Sequence, residues 1–499
     1  MDIFSGVLSG FQSVLSPVNL LFCFLGVFIG TLVGVLPGIG PIGAMSILLP
    51  TTYGISPVSS VIMLAGIYYG AQYGGSTTSI LVNIPGEASS IVTCLDGYQM
   101  ARNGRAGPAL GISAFGSFIG GTFSVIALVF LVFPLAQAAV KFGSPEYFAV
   151  ILMSMTILTY LAAGSFVKAV IMVLVGLILG TVGIDSVSGV DRFAFGSTSL
   201  LDGLGLVPIA MGLFGVSEVL MNLEIQLKRS VFKAKIKNLL PDLQDWKRSI
   251  GPIVRGSFIG FFLGILPGPS PVVSSFLSYS VEKKISKRPE AFGKGAIEGV
   301  AGPETANNAA TGGSFVPLLA LGIPANVSMG LLLGAFMIHH VIPGPLLMSQ
   351  HPEIFWGLIS SMYLGNIMLV LLNLPLIGLW IKILEVPYRF LMPLILLCCL
   401  IGAYSVNNNV VDMLIMVIFG ITGYILRRFN YEPAPLVLAY VLGPMMEKHF
   451  RTSLIMFDGN LSVFVTRPIS CVMLVISVGL LASTGFSYYR RMKIKEVIL

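Results

Sequence analysis

Residues 28–41 read Phe-Ile-Gly-Thr-Leu-Val-Gly-Val-Leu-Pro-Gly-Ile-Gly-Pro, and residues 258–271 read Phe-Ile-Gly-Phe-Phe-Leu-Gly-Ile-Leu-Pro-Gly-Pro-Ser-Pro. Eight of the fourteen positions are identical, and each copy interrupts an apolar helix with a Pro-Gly pair, Pro37-Gly38 and Pro267-Gly268. A second pair of motifs follows in the same order. Gly74-Gly75-Ser76 leads to Ile84-Pro85-Gly86, and Gly312-Gly313-Ser314 leads to Ile323-Pro324-Ala325. Proline removes a backbone donor and clashes with the preceding turn, so each motif breaks its helix. Breaks at corresponding places in two apolar halves mark a secondary transporter whose site lies between its repeats.

Composition supports a membrane chain. Of 499 residues, 55% are hydrophobic and only 10% charged, and the mean hydropathy is +0.91. Globular domains carry about 25% charged residues. Roughly 11–13 apolar stretches approach the length of a spanning helix, about 20 residues. The 57 glycines and 29 prolines suit a packed bundle of broken helices, because neighbouring helices re-satisfy the freed backbone groups. The alternating ten-residue segments of an outer-membrane barrel are absent. The expected fold is an all-α polytopic membrane protein with two inverted repeats. Its divisions are repeat one at 15–140, intervening membrane helices at 141–222, a basic linker at 223–250, repeat two at 251–350, and C-terminal membrane helices with a basic tail at 351–499.

The net charge of +7 is explained by topology and not by nucleic acid. No Lys or Arg precedes Arg102, whereas Lys228, Arg229, Lys233, Lys235 and Lys237 crowd one short segment. Lys283, Lys284, Lys287 and Arg288 form a second cluster, and Arg490, Arg491, Lys493 and Lys495 a third. Short basic loops beside apolar spans lie on the cytoplasmic side. The N-terminus, with no Lys or Arg nearby, lacks the basic start of a signal peptide and is expected on the opposite side. The five cysteines show no metal-ligand spacing and read as small buried hydrophobes.

The Pro-Gly motifs fit either kinks in spanning helices or tips of re-entrant hairpins. Lys247 and Arg248 stand before the second motif, and Lys283 and Lys284 after it. If both groups are cytoplasmic, the chain enters and returns, which favours a hairpin. The same hairpin in repeat one opens from the uncharged side, making the repeats inverted. Pro37, Gly38, Pro41, Pro267, Gly268 and Pro271 are the expected gate residues.

Three polar stretches carry the expected chemistry. Gly74, Gly75, Ser76, Thr77, Thr78 and Asn83 form one, and Thr311, Gly312, Gly313, Ser314 and Asn326 its counterpart. Paired glycines permit close backbone approach, and a helix starting there offers free N–H groups and a positive dipole to an anion. Packing through small residues is the alternative. The third stretch is Glu304 with Asn307 and Asn308. An acid and two carboxamides at membrane depth are costly unless paired or coordinating, and they suit Na⁺ or a proton; an interhelical hydrogen-bond network is the alternative. Glu87 is placed equally well at the membrane surface. His339 and His340, as neighbours on a helix, do not share a face, so a joint metal site is not expected. Neither a catalytic cluster nor a phosphate-binding motif is present, which argues against an enzyme or an ATP-driven pump; no resident cofactor is expected.

The sequence resembles the large membrane subunit of tripartite tricarboxylate transporters, the TctA family, over nearly its whole length. The stretches that carry the likeness are 34–41, 73–79 with 83–86, and 302–308 through 312–314 to 322–324. Residues 451–454 and 464–470 are also similar. The resemblance implies a multi-pass carrier of the bacterial inner membrane that imports carboxylates on a cation gradient. It further implies two partners, a small membrane subunit and a periplasmic solute-binding protein. A passive carboxylate channel, or a carrier for another small organic anion, is the rival reading.

Overall fold

The computed structural model describes residues 3–36, 39–161, 165–185, 187–224, 239–268, 270–384 and 388–498, with backbone only at 388–391 and 484–498. The expected gate residues Pro37 and Gly38, and residues 225–238 of the expected linker, lie outside the described residues. Apart from short helical turns, the helices are α1 (Ile3–Val14), α2 (Pro17–Val35), α3 (Gly40–Leu48), α4 (Pro57–Val82), α5 (Ile91–Arg102) and α6 (Ala106–Val140). Next come α7 (Ser144–Leu161), α8 (Phe166–Leu179) and α9 (Leu206–Glu224), the last with a π-helical turn at Met211–Val216. The second half holds α10 (Leu243–Ile265), α11 (Ser270–Ile285), α12 (Glu298–Gly313), α13 (Phe315–Leu321) and α14 (Val327–Ile338). It closes with α15 (Pro352–Asn373), an eight-residue helix at Ile377–Leu384, α16 (Tyr388–Asn407), α17 (Val410–Arg428), α18 (Ala434–Met456) and α19 (Pro468–Ile498). Strand structure among the described residues is one hairpin, β1 (Gly183–Ile184) paired with β2 (Asp191–Arg192).

Six helices among the described residues are long and apolar enough to cross a membrane: α2, α6, α7, α9, α15 and α17. Five shorter apolar helices accompany them. The all-α membrane architecture expected from the sequence is therefore present, with fewer full-length spans than the apolar stretches suggested. Two reasons are visible: α3, α5, α11, α13 and α14 are short, and α4, α10 and α18, of 26, 23 and 23 residues, have the length but not the apolar composition.

The two halves pack in the same way. Helix α2 lies on α4, and α10 lies on α12. Each seam runs through small residues four apart. A Cβ on Gly26 or Gly34 would overlap the carbonyls of Met63 or Ala71, and on Gly30 it would meet Ile67 O at 2.6 Å. In the second half a Cβ on Gly260 or Gly264 would overlap the carbonyls of Ala306 or Ala310, and on Gly256 it would meet Gly302 O at 2.5 Å. Without a hydrophobic drive between helices in lipid, such close backbone approach supplies the packing energy. The halves then exchange partners: α4 packs on α15, and α12 packs on α6.

Ion pairs gather at the ends. Arg248 pairs with Glu298 at 2.7 Å and Arg255 with Glu282 at 2.6 Å, fixing α10 to α12 and α11; Arg105 at the start of α6 pairs with Asp245. The β-hairpin is held to α18 by Arg192 and Arg451, which share Asp185 and Glu447. The Ser188 hydroxyl, and then Arg451, hold the Asp185 carboxyl well below the usual carboxylate range.

Candidate substrate site

A cavity of about 740 Å³ lies where the interrupted helices of both halves meet. Repeat one contributes residues 39–43, at the start of α3, together with Pro85, Gly86, Glu87 and Ala88. Repeat two contributes Gly268 and Pro271, at the start of α11, and Asn326 to Ser328, at the start of α14. Pro433, Ala434 and Pro435 at the start of α18 complete the wall, with Tyr68, Gln72, Phe214 and Leu438. Four helices of nine residues or more thus begin at this one space. Each N-terminus leaves backbone N–H groups without intrahelical acceptors and carries about half a positive charge. A cleft or cavity of about 300–1,000 Å³ suits a small-molecule ligand.

Asn326 is built into this wall. It caps α14 by accepting from the Met329 N–H at 3.0 Å, and its Nδ2 donates to the Tyr68 hydroxyl on α4 at 2.9 Å. Gly268, at φ +141°, donates its N–H to the Ala325 carbonyl at 2.8 Å, joining the Pro-Gly turn to the Ile323-Pro324 break. Arg427 is not a free cation in the wall, because it pairs with Glu218.

The glycine pairs require a correction. The sequence suggested that helices start at Gly74-Gly75 and Gly312-Gly313, but α4 runs through the first pair, and the second pair forms the last two residues of α12, just before the seven-residue α13. Their N–H groups belong to the helix ladder, and both pairs are buried in helix contacts. A Cβ on Gly74 would overlap Thr31 O, and on Gly75 it would meet Glu87 Cγ at 2.8 Å. A Cβ on Gly312 would overlap Ser124, and on Gly313 it would meet Phe261 O at 2.5 Å. Close approach is what these glycines provide, to neighbouring helices. Ser76 donates to Glu304 Oε2 at 2.5 Å, and Thr78 donates to Val35 O at 2.6 Å. Thr77 is buried, and Asn83 ends α4 in the left-handed conformation with its side chain exposed. Thr311 donates to Asn307 O at 2.9 Å and Ser314 to Thr311 O at 2.7 Å. The helix starts that do face one space are those next to the breaks, at Gly40, Ser270 and Val327.

Glu304 is fully buried behind the cavity wall. It accepts from Ser76 of α4 and Thr93 of α5, so an acid of repeat two is held by hydroxyls of repeat one. Asn307 donates to it at 3.4 Å; Asn308 donates to Ser117 at 2.8 Å and to Asn307 Oδ1 at 2.5 Å. Of the residues singled out in the sequence, Pro41, Pro85, Gly86, Glu87, Gly268, Pro271 and Asn326 line the cavity, whereas Ser76, Thr77, Thr78, Thr311, Ser314, Glu304, Asn307 and Asn308 are buried outside its lining and Asn83 is exposed. Tyr68, Gln72, Phe214 and residues 430–435 were missed. Gln72 was legible as a lone carboxamide in an apolar helix; the 430–435 turn gave no periodic signal. Among the described residues no three His, Cys, Asp or Glu side chains group as a metal site.

The model for the tripartite tricarboxylate transporter TctA family matches residues 20–438. An uncharacterized 52.8 kDa protein in the TAR-I ttuC' 3' region of Agrobacterium vitis is 52% identical over 476 residues, 95% of each chain. An uncharacterized protein in the TAR-II ttuC' 3' region of the same organism is 54% identical over 215 residues, 43% of this chain and 89% of that one. No solved structure matches. Helices interrupted in pairs, a cavity between the two halves and a family match over most of the length agree: the chain belongs to the tripartite tricarboxylate transporter TctA family.

Proposed function

We propose that this chain is the carrier of a secondary active uptake system for carboxylates of the tricarboxylate or dicarboxylate class in the bacterial inner membrane. It takes its substrate from a periplasmic solute-binding protein and works beside a small membrane subunit. A Na⁺ or proton gradient drives it. The observation that carries this reading is the convergence of four helix N-termini, from both repeats and α18, on one 740 Å³ cavity. Interrupted helices whose positive ends face an anion are the device by which membrane carriers bind carboxylates without a free cationic side chain. The repeats are inverted, the Pro267-Gly268 turn is the tip of a re-entrant hairpin, and it acts as a gate when one bundle moves against the other. Glu304 with Asn307 and Asn308 is the acidic centre assigned to the coupling cation.

The test is uptake of labelled citrate and succinate into proteoliposomes holding the full chain and its small subunit, with the binding protein added. Na⁺ and proton gradients are imposed separately. Accumulation above equilibrium on one gradient, dependent on the binding protein, is expected. Uptake that only equilibrates, without gradient or binding protein, would establish the passive-channel reading; accumulation of a different organic anion class would move the substrate.

A further inference from the structure

Ser89 stands between two acceptors. Its Oγ lies 2.7 Å from Gln72 Oε1 and also hydrogen-bonds Glu87 Oε1. A serine hydroxyl has one proton and cannot donate to both. Ser89 is fully buried, so bulk water does not supply a second donor. Two arrangements satisfy the trio. With Glu87 ionised, Ser89 donates to Glu87, Gln72 turns so that Nε2 donates to Ser89, and Oε1 is the carboxamide end left for the cavity. With Glu87 protonated, its O–H donates to Ser89, Ser89 donates to Gln72 Oε1, and the Gln72 NH₂ is the end left for the cavity. Both Gln72 and Glu87 line that cavity.

We infer that Glu87 is a proton-binding site that sets, through Ser89, whether Gln72 offers the substrate a donor or an acceptor. This rests on the carboxylate reading above and names a coupling ion for it, at a group separate from Glu304. The step is one protonation: a Glu87 oxygen gains a proton from water on one side of the membrane and returns it to water on the other. The remaining changes are reversals of hydrogen bonds. An NH₂ group binds a carboxylate and a carbonyl oxygen repels it, so the protonated state binds the anion more tightly. By reciprocity the bound anion holds the proton. Of the groups facing Glu87 from the elements packed around it, Tyr68 is on α4 and Glu304 on α12. On α5, Cys94 lies beside Ser79, and Asp96 is held by Tyr279 of α11 and the 293–296 backbone. Glu282 of α11 is paired with Arg255, and Lys283 and Lys284 end that helix. The opposite wall carries the Glu218–Arg427 pair, Tyr431 and Glu432.

The test is binding of labelled citrate and succinate to the full chain in nanodiscs over a pH series, with proton uptake followed in weak buffer. The wild type should lose affinity about tenfold per pH unit once Glu87 ionises, and take up one proton per anion bound. E87Q, a permanently neutral group that still donates to Ser89, should bind with no slope from this site and no proton uptake. Any slope remaining in E87Q measures titration of the probe and of groups other than Glu87, Glu304 among them. S89A should reduce the slope and the proton uptake to what direct repulsion of the anion by ionised Glu87 supplies, and S89T should restore both. E87Q or S89A retaining the full wild-type slope and proton uptake would overturn the inference. So would a wild type that binds anion with no proton uptake, which leaves the carboxylate reading standing. A wild type that binds neither probe at any pH would overturn both.

Discussion

The Gly268 amide donates to the Ala325 carbonyl at 2.8 Å, so the Pro-Gly turn and the Ile323-Pro324 break of the second repeat hold each other. In the first repeat the Thr78 hydroxyl, inside α4, donates to the Val35 carbonyl at the end of α2 at 2.6 Å. Interrupted backbone at membrane depth is tolerated only where its polar groups find partners inside the protein. Gly268 adopts φ +141°, where a side chain is strained, and a Cβ there would meet Leu161 Cδ1 at 3.3 Å. Gly268→Ala should therefore lower stability by about 1–2 kcal/mol and weaken anion binding, read by thermal denaturation and labelled-citrate binding. Unchanged values in both would mean the turn does not shape the site.

The small-residue seams predict a sharper effect. Gly260→Val forces side-chain carbons into the Ala306 carbonyl, whereas a Cβ on Gly54 would meet nothing within 4 Å. Overpacking of a tight interface costs about 1–3 kcal/mol, and more where backbone is the obstacle. Gly260→Val should fail to yield a monodisperse protein on size-exclusion chromatography, while Gly54→Ala should behave as wild type. A well-behaved Gly260→Val would show that α10 and α12 separate readily.

Much of this arrangement was legible in the sequence, and the rest was not for physical reasons. The paired breaks stood out because Pro-Gly and Ile-Pro are costly in apolar helices, and Asn326 stood out as a polar residue after a break. The glycine pairs were misread as helix starts because Gly-Gly-Ser is equally the signature of close helix packing, and only Thr31 O and Phe261 O on the facing helices decide between the two. The α18 wall was unreadable because Pro433 to Pro435 looks like a loop, while its role comes from a fold that returns it to residues far away in sequence.

Glu304 joins the repeats through Ser76 and Thr93. Glu304→Gln keeps the shape and removes the charge, so driven uptake should fall, or its Na⁺ or pH dependence should change, with expression near normal. Ser76→Ala removes one buried hydrogen bond to Glu304, about 0.5–1.5 kcal/mol to a neutral acid and about 1.5–3 kcal/mol to a carboxylate, and should lower thermal stability more than a Ser-to-Ala change at exposed Ser349. Transport by Glu304→Gln with unchanged ion dependence would leave Glu304 a structural pin alone.

Lys284 is exposed in the last turn of α11, and Arg255 of α10 is paired to Glu282 just before it in that helix. A hairpin entering from and returning to the cytoplasm puts Lys247 and Lys284 on the same side. Lys247→Cys and Lys284→Cys should both resist an impermeant thiol reagent added outside whole cells, and both should label in inverted vesicles. Labelling of Lys284→Cys alone from outside would replace the hairpin with a kinked spanning helix.

Asn326 separates an anion site from a merely polar one. Asn326→Ser keeps a capping oxygen; Asn326→Ala removes the cap, about 1 kcal/mol of helix stability, and the donor to Tyr68. Asn326→Asp caps α14 as well as asparagine does but places a negative charge at the helix start that faces the cavity. Two unit charges about 5 Å apart at an effective dielectric of about 20 repel by about 3 kcal/mol, about a hundredfold in affinity. Binding of citrate should thus fall in the order wild type, Ser, Ala, Asp, although Asp is the better cap of the last two, and thermal stability should rank Asp above Ala. The opposition between the two rankings is the signature of an anion. Asp binding citrate as tightly as wild type would mean that the charge sits away from the ligand, and the site would have to lie at another wall of the cavity.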